Sequence, residues 1–275
     1  MQLVLTNNNM RKTAEPFLRS LRGTGYGGDI AIMSCNANEI VLAEARQYQA
    51  HFVPCEADDL PLLVYAGRFK RLLHLPAILK KYFKNDYRCL NMGARRVFEF
   101  RNYLSDLKVK PEQVLIADCR DVIFQRNPFP FQEGLTVGVE TNQFKTSKGN
   151  VKWLWEAAGI NAVRKMWHFN VLNGGVIAGD YATMCRYLDL VIEYINKNRF
   201  FAVFDGVDQG ALNHIVHNKI VSPTHLQHNW NGVIATLDKV SLADVRTNEQ
   251  GKLINQDGSI IPIIHQYDRV KGLAI

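Results

Sequence analysis

The chain has 275 residues, of which 47% are hydrophobic and 21% charged, a globular composition with apolar material for one large core or two modest ones. The net charge is +7 at pH 7, but the lysines and arginines are scattered. No zinc-finger spacing, aromatic RNA-binding signature or basic heptad accompanies them, which argues against nucleic acid as a partner. The sequence shows no linker, low-complexity segment or internal repeat, so it predicts a single domain over residues 1–275.

The first segment, Met1–Asn7, is a strand-like run that lacks the charged head and apolar core of a secretory signal. No stretch reaches the apolar length that crosses a bilayer. The five cysteines are odd in number and widely spaced, without a metal-binding pattern or the density of a disulfide scaffold, which suits a reducing compartment. We expect a cytoplasmic protein, and peripheral contact with a membrane is compatible with these features.

Short apolar or β-branched runs alternate with longer helical patterns along the chain. The runs predict strands at Leu3–Thr6, Ile30–Met33, Val114–Ala117, Leu135–Val139 and Val171–Ala178. Apolar residues three or four positions apart predict helices at Ala94–Leu107, Tyr181–Ile195 and Asp208–Val216. This alternation indicates an α/β fold with a mostly parallel central sheet flanked by helices. In such folds ligands bind at the carboxyl ends of strands, so polar residues directly after apolar runs are the first candidates for chemistry.

Two carboxylates follow the third predicted strand. The segment Val114–Phe124 places Asp118 and Asp121 between two apolar runs. Burying two neighbouring carboxylates is unfavourable unless a cation lies between them, and a divalent ion bound to both of them and to phosphate oxygens removes that repulsion. In the structural alternative, Asp118 caps a turn and Asp121 pairs with Arg120 or Arg126. The position at the end of a strand favours the metal site.

A histidine follows a later apolar run in a similar way. The run Ile260–Ile264 ends at His265. An imidazole at this position is either a hydrogen-bonded structural residue or a metal ligand. A single histidine near the end of a chain is more often structural, so the metal role depends on whether this strand ends beside the acidic pair.

Two further segments carry amides and acids. The glycines Gly174 and Gly175 beside Asn173 would let the backbone approach a ligand closely, although they also suit a bulge or a tight turn. Asp208 and Gln209 open a predicted helix. Aspartate is favoured as a helix cap for plain hydrogen-bonding reasons, and capping is compatible with a functional role.

Taken together and in this order, these segments resemble the GT-A-type glycosyltransferases. Residues 118–129 are similar to an Asp-x-Arg-Asp motif followed by an apolar run and Asn-Pro-Phe. Asn173–Val176 resembles the Asn-small-Gly-Val strand of that family, and Asp208–Asn213 resembles its Asp-Gln-x-x-Leu-Asn helix start. Arg96–Leu104 resembles an arginine-bearing helix upstream of the acidic motif, and His265–Asp268 a late histidine motif. The likeness spans nearly the whole chain, and its specificity lies in the order and combination of the segments.

The resemblance implies a GT-A fold and a metal-dependent transfer of a sugar from a nucleoside-diphosphate sugar. Asp118 and Asp121 would hold Mn²⁺ or Mg²⁺ against the donor diphosphate, with His265 as a third ligand. Thr6, at the end of the first strand, would lie near the nucleotide base or ribose. Arg96 would approach the diphosphate or brace the acidic motif.

The same resemblance assigns the remaining residues to the sugar side of the site. Asn173 and Gly174 would line the sugar pocket, and Asp208 with Gln209 would face the transferred sugar or the acceptor. Asp208 would be the base in an inverting enzyme, or would support the departing sugar in a retaining one. The partners would be a nucleotide sugar and a glycan or glycolipid acceptor, in the synthesis of surface glycans or polysaccharides.

Three other classes share parts of this pattern. A haloacid-dehalogenase-type phosphatase needs an acid two places after the first, where Arg120 stands. A sugar-nucleotidyltransferase would carry a glycine-rich basic loop after the first strand, and residues 7–12 contain no glycine. A non-catalytic nucleotide-sugar-binding module would not need the two acids, the late histidine and the Asp-Gln pair together. The pattern favours the transferase, with the nucleotidyltransferase and the binding module as alternatives.

Overall fold

The computed structural model describes residues 1–7, 13–34, 38–55, 75–204 and 206–273. The described strands are β1 (Gln2–Asn7), β2 (Asp29–Ser34), β3 (His51–Pro54), β4 (Gln113–Asp118), β5 (Val122–Phe124), β6 (Leu135–Gln143), β7 (Asn170–Asp180), β8 (Thr224–Gln227), β9 (Ile234–Thr236) and β10 (Ile263–His265). The described helices are α1 (Glu15–Gly23), α2 (Glu39–Gln47), α3 (Leu75–Phe83), α4 (Met92–Asp106), α5 (Lys148–Met166), α6 (Tyr181–Lys197), α7 (Arg199–Phe204) and α8 (Val207–His217).

Seven strands form the central sheet in the order β3-β2-β1-β4-β7-β6-β8. β7 runs antiparallel to both of its neighbours, β4 and β6, and all the other pairs are parallel. The sheet is therefore mostly parallel, as the sequence predicts. The five predicted strands and three predicted helices all form, with bounds that differ by a few residues.

Helices cover both faces of this sheet. Leu3 and Leu5 of β1 pack in one core with α4, α6 and α8, whereas Val4 packs in a second core with α1 and α2. Successive side chains of a strand point to opposite faces, so a strand covered on both sides needs apolar residues at every position. Burial on both faces thus explains the continuous apolar run Val114–Ala117.

The helices that border the open end of the sheet begin at defined residues. The Oδ1 atom of Asn91 accepts a hydrogen bond from Ala94 N at 3.1 Å and caps α4. The N-cap of α8 is Gly206, so Asp208 lies in the first turn of that helix and is not the cap that the sequence offered as its structural role. Its carboxylate is therefore available for other contacts.

A second sheet has three short strands in the order β5-β10-β9. The predicted strand Ile260–Ile264 is shorter than expected, because β10 begins at Ile263, immediately after Pro262. Proline has no N–H to donate to a strand ladder, which accounts for the late start. In this sheet His265 pairs with Val122 at the start of β5, and it therefore lies next to the acidic segment.

Across the described ranges, the helices lack the combination of length and apolar character that crossing a bilayer requires.

Candidate functional site

Asp118 and Asp121 flank the turn between the central sheet and the small sheet. Asp118 is the last residue of β4 and pairs with Asn7 of β1, and Asp121 immediately precedes β5. The side chain of Asp121 is 2% exposed, whereas that of Asp118 is 33% exposed. The strand end thus carries one acid open to solvent and one buried beside it.

His265 completes a group of three possible metal ligands. One ligand atom from each of Asp118, Asp121 and His265 lies within 4.8 Å of the other two. The Nε2 atom of His265 is 3.6 Å from Oδ1 of Asp121, and that oxygen is buried without a hydrogen-bond partner. A buried carboxylate oxygen without a partner is unfavourable, and a bound divalent cation would satisfy it. The three residues therefore fit a divalent metal ion.

Two arginines contact the other oxygen of Asp121. The Arg120 guanidinium is 2.8 Å from Oδ2, and that of Arg269 is 3.8 Å from the same atom. The pairing with Arg120 that the sequence offered as a structural alternative is therefore present. It uses Oδ2 and leaves Oδ1 facing His265, so the ion pair and a metal site are compatible.

The surroundings of His265 favour its neutral form. Its side chain is 2% exposed, and burial holds the pKa of this imidazole below its ordinary value of 6.5 against the opposing effect of the Asp121 and Asp118 carboxylates. A neutral imidazole is the form that binds a metal ion. The buried position therefore suits a ligand.

Arg96 of α4 connects the turn that carries Asp118 and Asp121, here called the acidic turn, to helix α8. Its guanidinium makes an ion pair with Asp118 and lies 3.5 Å from Oδ2 of Asp208. Burial disfavours the charged guanidinium, but the two carboxylates outweigh it, and the pKa of Arg96 lies above its ordinary value. The cation thus stays charged between two acids that are 90 positions apart in the chain.

The middle of β7, which runs antiparallel to β4, also borders the site. Ala117 of β4 pairs with Val176, so Gly175 lies level with Asp118 and Asn173 and Gly174 extend past the end of β4. Asn173 Oδ1 accepts a hydrogen bond from Gly175 N at 2.7 Å, and Gly174 N donates to Oε1 of Gln209 at 2.9 Å. These bonds fix the backbone of β7 beside the acidic turn.

Gly175 is needed for the close approach of β7 to His265. A Cβ atom at position 175 would overlap the Cε1 and Nε2 atoms of the His265 ring. The buried ring has little room to move. The paired glycines therefore reflect the contact with His265 as well as the bends in the strand.

Glu140 was not among the residues predicted for the site. It follows the apolar part of β6, is 5% exposed, and accepts a hydrogen bond from Asn173 Nδ2 at 2.7 Å. Burial raises the pKa of this carboxyl above its ordinary value, although the amides of Asn173 and Asn142 act in the opposite direction. A carboxylate directly after an apolar run is the signal that identified Asp118, and it applies to Glu140 equally well.

Helix α8 contributes Asp208 and Gln209. The Nε2 atom of Gln209 donates to Oδ1 of Asn150 at 3.2 Å, while its Oε1 accepts from β7. The backbone of α8 approaches α5 closely at Gly210, where a Cβ would overlap the Trp153 carbonyl group. Gln209 is thus held between β7 and α5.

Thr6 differs from the other predicted site residues. It is fully buried, and its hydroxyl donates to the Ala117 carbonyl oxygen at 2.6 Å. This bond ties the end of β1 to the end of β4. Contact between Thr6 and a nucleotide stays a prediction, since residues 8–12, which follow β1, lie outside the described part of the chain.

A cleft of about 290 Å³ connects these side chains. Six of the nine predicted residues line it, while Gly174 and Asp208 line a smaller adjoining pocket with Arg96 and Gln209. The cleft also contains Gln266 of the late histidine motif and residues that the sequence did not single out, namely Glu140, Asn150, Trp153, Asp238 and Arg269. The arrangement can bind a divalent cation on one wall and polar hydroxyl groups on the other.

Comparison with solved structures identifies the fold. The galactosyltransferase LgtC in complex with donor and acceptor sugar analogs aligns with a TM-score of 0.50 and 11% identity, over 96% of this chain and 86% of that one. An active-site Gln-to-Glu mutant of LgtC aligns over the same shares with a TM-score of 0.51 and 11% identity. No protein-family model matches the sequence, and no curated protein sequence matches it. The chain has the GT-A fold, as the resemblance implies.

Proposed function

We propose that this chain is a metal-dependent glycosyltransferase that moves a sugar from a nucleoside-diphosphate sugar to a hydroxyl group of a saccharide or glycolipid. The observation that carries the proposal is the cluster of Asp118, Asp121 and His265 at the carboxyl end of β4 in a GT-A fold. The structural neighbour LgtC is a galactosyltransferase that was studied with donor and acceptor sugar analogs. A role in the synthesis of surface glycans or polysaccharides is part of the proposal.

The ligand set favours a particular kind of ion. Two carboxylates and an imidazole nitrogen are available, and Mg²⁺ prefers oxygen ligands in an octahedral shell, so we propose Mn²⁺ in preference to Mg²⁺. When bound, the ion would stabilise the negative charge that develops on the leaving diphosphate. Asp118 and Asp121 would otherwise repel that diphosphate, so donor binding would depend on the ion.

Arg96 would assist at the diphosphate side of the site. Its charge is maintained by the carboxylates on either side, Asp118 and Asp208. A preorganised cation stabilises charge that develops during the reaction without the cost of reorganising solvent. Because the same guanidinium pairs with Asp208, it would also orient that carboxylate.

The opposite wall of the cleft would bind the sugar. Asn173 and Glu140 form a buried hydrogen-bonded pair, and Gln209 is held by Gly174 and Asn150. Fixed amides and carboxylates of this kind can pair with sugar hydroxyls, which supplies both orientation and specificity. The position of Gln209 between β7 and α5 is consistent with a site that contacts the transferred sugar, as is the existence of an active-site glutamine in LgtC.

A panel of nucleotide sugars tests the proposal. We expect one donor, or a small group of them, to raise the melting temperature in the presence of Mn²⁺, because a ligand that binds only the folded state stabilises it by mass action. The same donor should release a nucleoside diphosphate when an acceptor or water is supplied. The Asp118→Asn variant serves as the control and should show neither effect.

The products separate the proposal from its main alternative. A nucleotidyltransferase would instead join a nucleoside triphosphate to a sugar phosphate and release pyrophosphate. Formation of pyrophosphate from those substrates would contradict the transferase assignment. Donor stabilisation that is equal with excess chelator would contradict the metal dependence.

A further inference from the structure

A buried threonine lies beside His265 in the small sheet. The register partner of His265 in the parallel pair of β9 and β10 is Thr236. Residues in register on neighbouring parallel strands, which lie about 4.8 Å apart, point to the same face of a sheet. The hydroxyl group of Thr236 and the imidazole of His265 are therefore neighbours.

Two glycines of the central sheet place the two side chains in the same way. A Cβ atom at Gly175 of β7 would overlap the ring of His265. A Cβ atom at Gly138 of β6 would come within 2.8 Å of Thr236 Oγ1. Strands β6 and β7 are neighbours, and Gly138 pairs with Asn173. Adjacent side chains of the small sheet thus pack against adjacent strands of the central sheet.

Both side chains carry a buried polar atom that can form a further hydrogen bond. Thr236 is 1% exposed and His265 is 2% exposed. Within the part of the chain that the structure describes, neither Thr236 Oγ1 nor His265 Nδ1 has a hydrogen-bond partner. An unpaired buried polar atom is unfavourable. Two such atoms on neighbouring residues can satisfy each other, directly or through one buried water molecule.

The backbone of Thr236 is held on both edges of β9. On one edge, the side-chain amide of Asn229 donates to Thr236 O at 2.7 Å and accepts from Thr236 N at 2.8 Å. On the other edge, Leu237 N donates to His265 O at 3.0 Å. The position of Thr236 relative to the imidazole is therefore fixed, and rotation about its Cα–Cβ bond is what redirects the hydroxyl group.

We propose that Thr236 is a positioning residue for His265, whose Nδ1 proton its hydroxyl oxygen accepts directly or through one water molecule. This inference rests on the proposed metal site. Nε2 is the ring nitrogen that lies 3.6 Å from Asp121 Oδ1. A neutral imidazole that binds the ion through Nε2 carries its proton on Nδ1. A hydrogen bond from that second nitrogen fixes the tautomer and the ring orientation of a histidine ligand.

Two substitutions separate this role from packing. Thr236→Val keeps the shape of the side chain and removes the hydroxyl group, whereas Thr236→Ser keeps the hydroxyl group and removes the methyl group. Mn²⁺ affinity is measured by isothermal titration on the full chain, without a donor or an acceptor. We expect it to fall about 10- to 100-fold in Thr236→Val and to stay close to that of the unmodified protein in Thr236→Ser. The melting temperature of metal-free Thr236→Val should change little.

Thr136→Val is the matched control, since Thr136 is a threonine of β6 that is 2% exposed and does not line the cleft. This variant should bind Mn²⁺ as the unmodified protein does.

The possible failures are distinguishable. If the unmodified protein does not bind Mn²⁺, the metal dependence in the proposed function fails together with this inference. If the unmodified protein and Thr236→Val bind Mn²⁺ equally well, only the role of Thr236 is overturned. The same conclusion follows if Thr236→Ser loses as much affinity as Thr236→Val, or if Thr136→Val does.

Discussion

Asp121 is buried between a histidine and two arginines. Its two oxygens have different partners, since Oδ2 faces Arg120 and Arg269 while Oδ1 faces only His265 among the described residues. Removing the negative charge therefore affects the proposed ion directly. The arginines are 39% and 41% exposed, so water can solvate them when the carboxylate is neutralised.

Asp118→Asn and Asp121→Asn should each abolish sugar transfer while leaving the fold intact. Each change removes a charged ligand but keeps the side-chain size, and the loss of repulsion between two acids offsets part of the lost ion pairing. We expect Mn²⁺ affinity to fall at least about tenfold, corresponding to about 1.4 kcal/mol. Isothermal titration with Mn²⁺ and circular dichroism measure the two effects. Near-normal turnover of either variant at saturating Mn²⁺ would show that the residue is not a ligand.

The buried imidazole of His265 predicts a specific pH dependence. Burial lowers its folded-state pKa below 6.5, so in the window below pH 6.5 the unfolded chain binds more protons than the folded one. Stability of the metal-free protein should therefore rise with pH across this window and be lost as the pH falls. Mn²⁺ affinity should also fall as the pH is lowered through this window, because a protonated imidazole does not bind metal.

His265→Gln separates the ligand role from a packing role. We expect this variant to lose Mn²⁺ affinity and part of the pH dependence of unfolding, measured by urea titrations between pH 5 and pH 7. Some pH dependence should remain, because burial also lowers the pKa of His214 and that of His217. Unchanged Mn²⁺ affinity together with a lowered melting temperature would mean that His265 only packs.

At the scale of elements, strand β7 places the small residues Gly174 and Gly175 beside the buried ring of His265. Its role depends on Gly175, where any Cβ would overlap His265. Residues 174–176 form an irregularity in the pairing of β7 with β6, which pairs at Ile177 and at Asn173 on either side of it. The backbone is thus held on both sides of Gly175, so a Cβ there would press on the imidazole. A change in the strand can therefore disturb the ligand set without altering a ligand.

Gly175→Ala should weaken Mn²⁺ binding and lower stability by about 1–3 kcal/mol, the usual cost of overpacking a buried site. Gly149→Ala is the control, since Gly149 lies in α5 and a Cβ there meets no atom within 4 Å. Denaturant titrations and Mn²⁺ calorimetry on both variants measure the difference. If Gly175→Ala behaves like Gly149→Ala in both experiments, the steric account of the paired glycines is wrong.

The apolar runs predicted the position of the main strands but not their directions. β7 contains the run Val171–Ala178, which is apolar on both faces. Such a pattern is the same for a parallel and for an antiparallel strand. Only the pairing with β4 and β6 makes it antiparallel. Strands β5, β9 and β10 have three residues each, too few for a period to be recognised, so the small sheet was predicted only in part, through Ile260–Ile264.

At the scale of the whole molecule, the site was predictable where each residue follows an apolar run and carries a distinctive chemical group. Asp118 and His265 follow apolar runs, and Asp121 lies three residues after Asp118. The proximity of His265 to the two acids comes from the antiparallel pairing of β10 with β5 in the small sheet, which the rule that parallel strand ends meet does not provide. Asn150 and Trp153 lie on α5, and Arg269 ends a short 3₁₀ helix over Tyr267–Arg269; none of them carries such a signal. Their presence in the cleft depends on how α5 and the last segment pack, which no local pattern encodes.

The cleft as a whole predicts how the protein distinguishes nucleotides. With Mn²⁺ present, a nucleoside diphosphate should bind more tightly than the monophosphate, because the second phosphate adds oxygen ligands for the ion. With excess chelator, the acids should repel both and the difference should vanish. Calorimetry under the two conditions measures the four affinities, and equal affinity for the diphosphate with and without chelator would contradict a metal-bridged site.

Because of the small sheet, the proposed ligands can come together only when synthesis of the chain is almost finished. Asp121 leaves the ribosome early, but its partner His265 lies on β10, which is also the strand that joins β5 to β9. At roughly 5–20 residues per second, the intervening stretch of roughly 140 residues takes about 7–30 s to translate. During this interval the nascent chain exposes two acids without their imidazole and an unpaired β5. A ribosome-bound chain halted before residue 263 should therefore not retain Mn²⁺ at the proposed site.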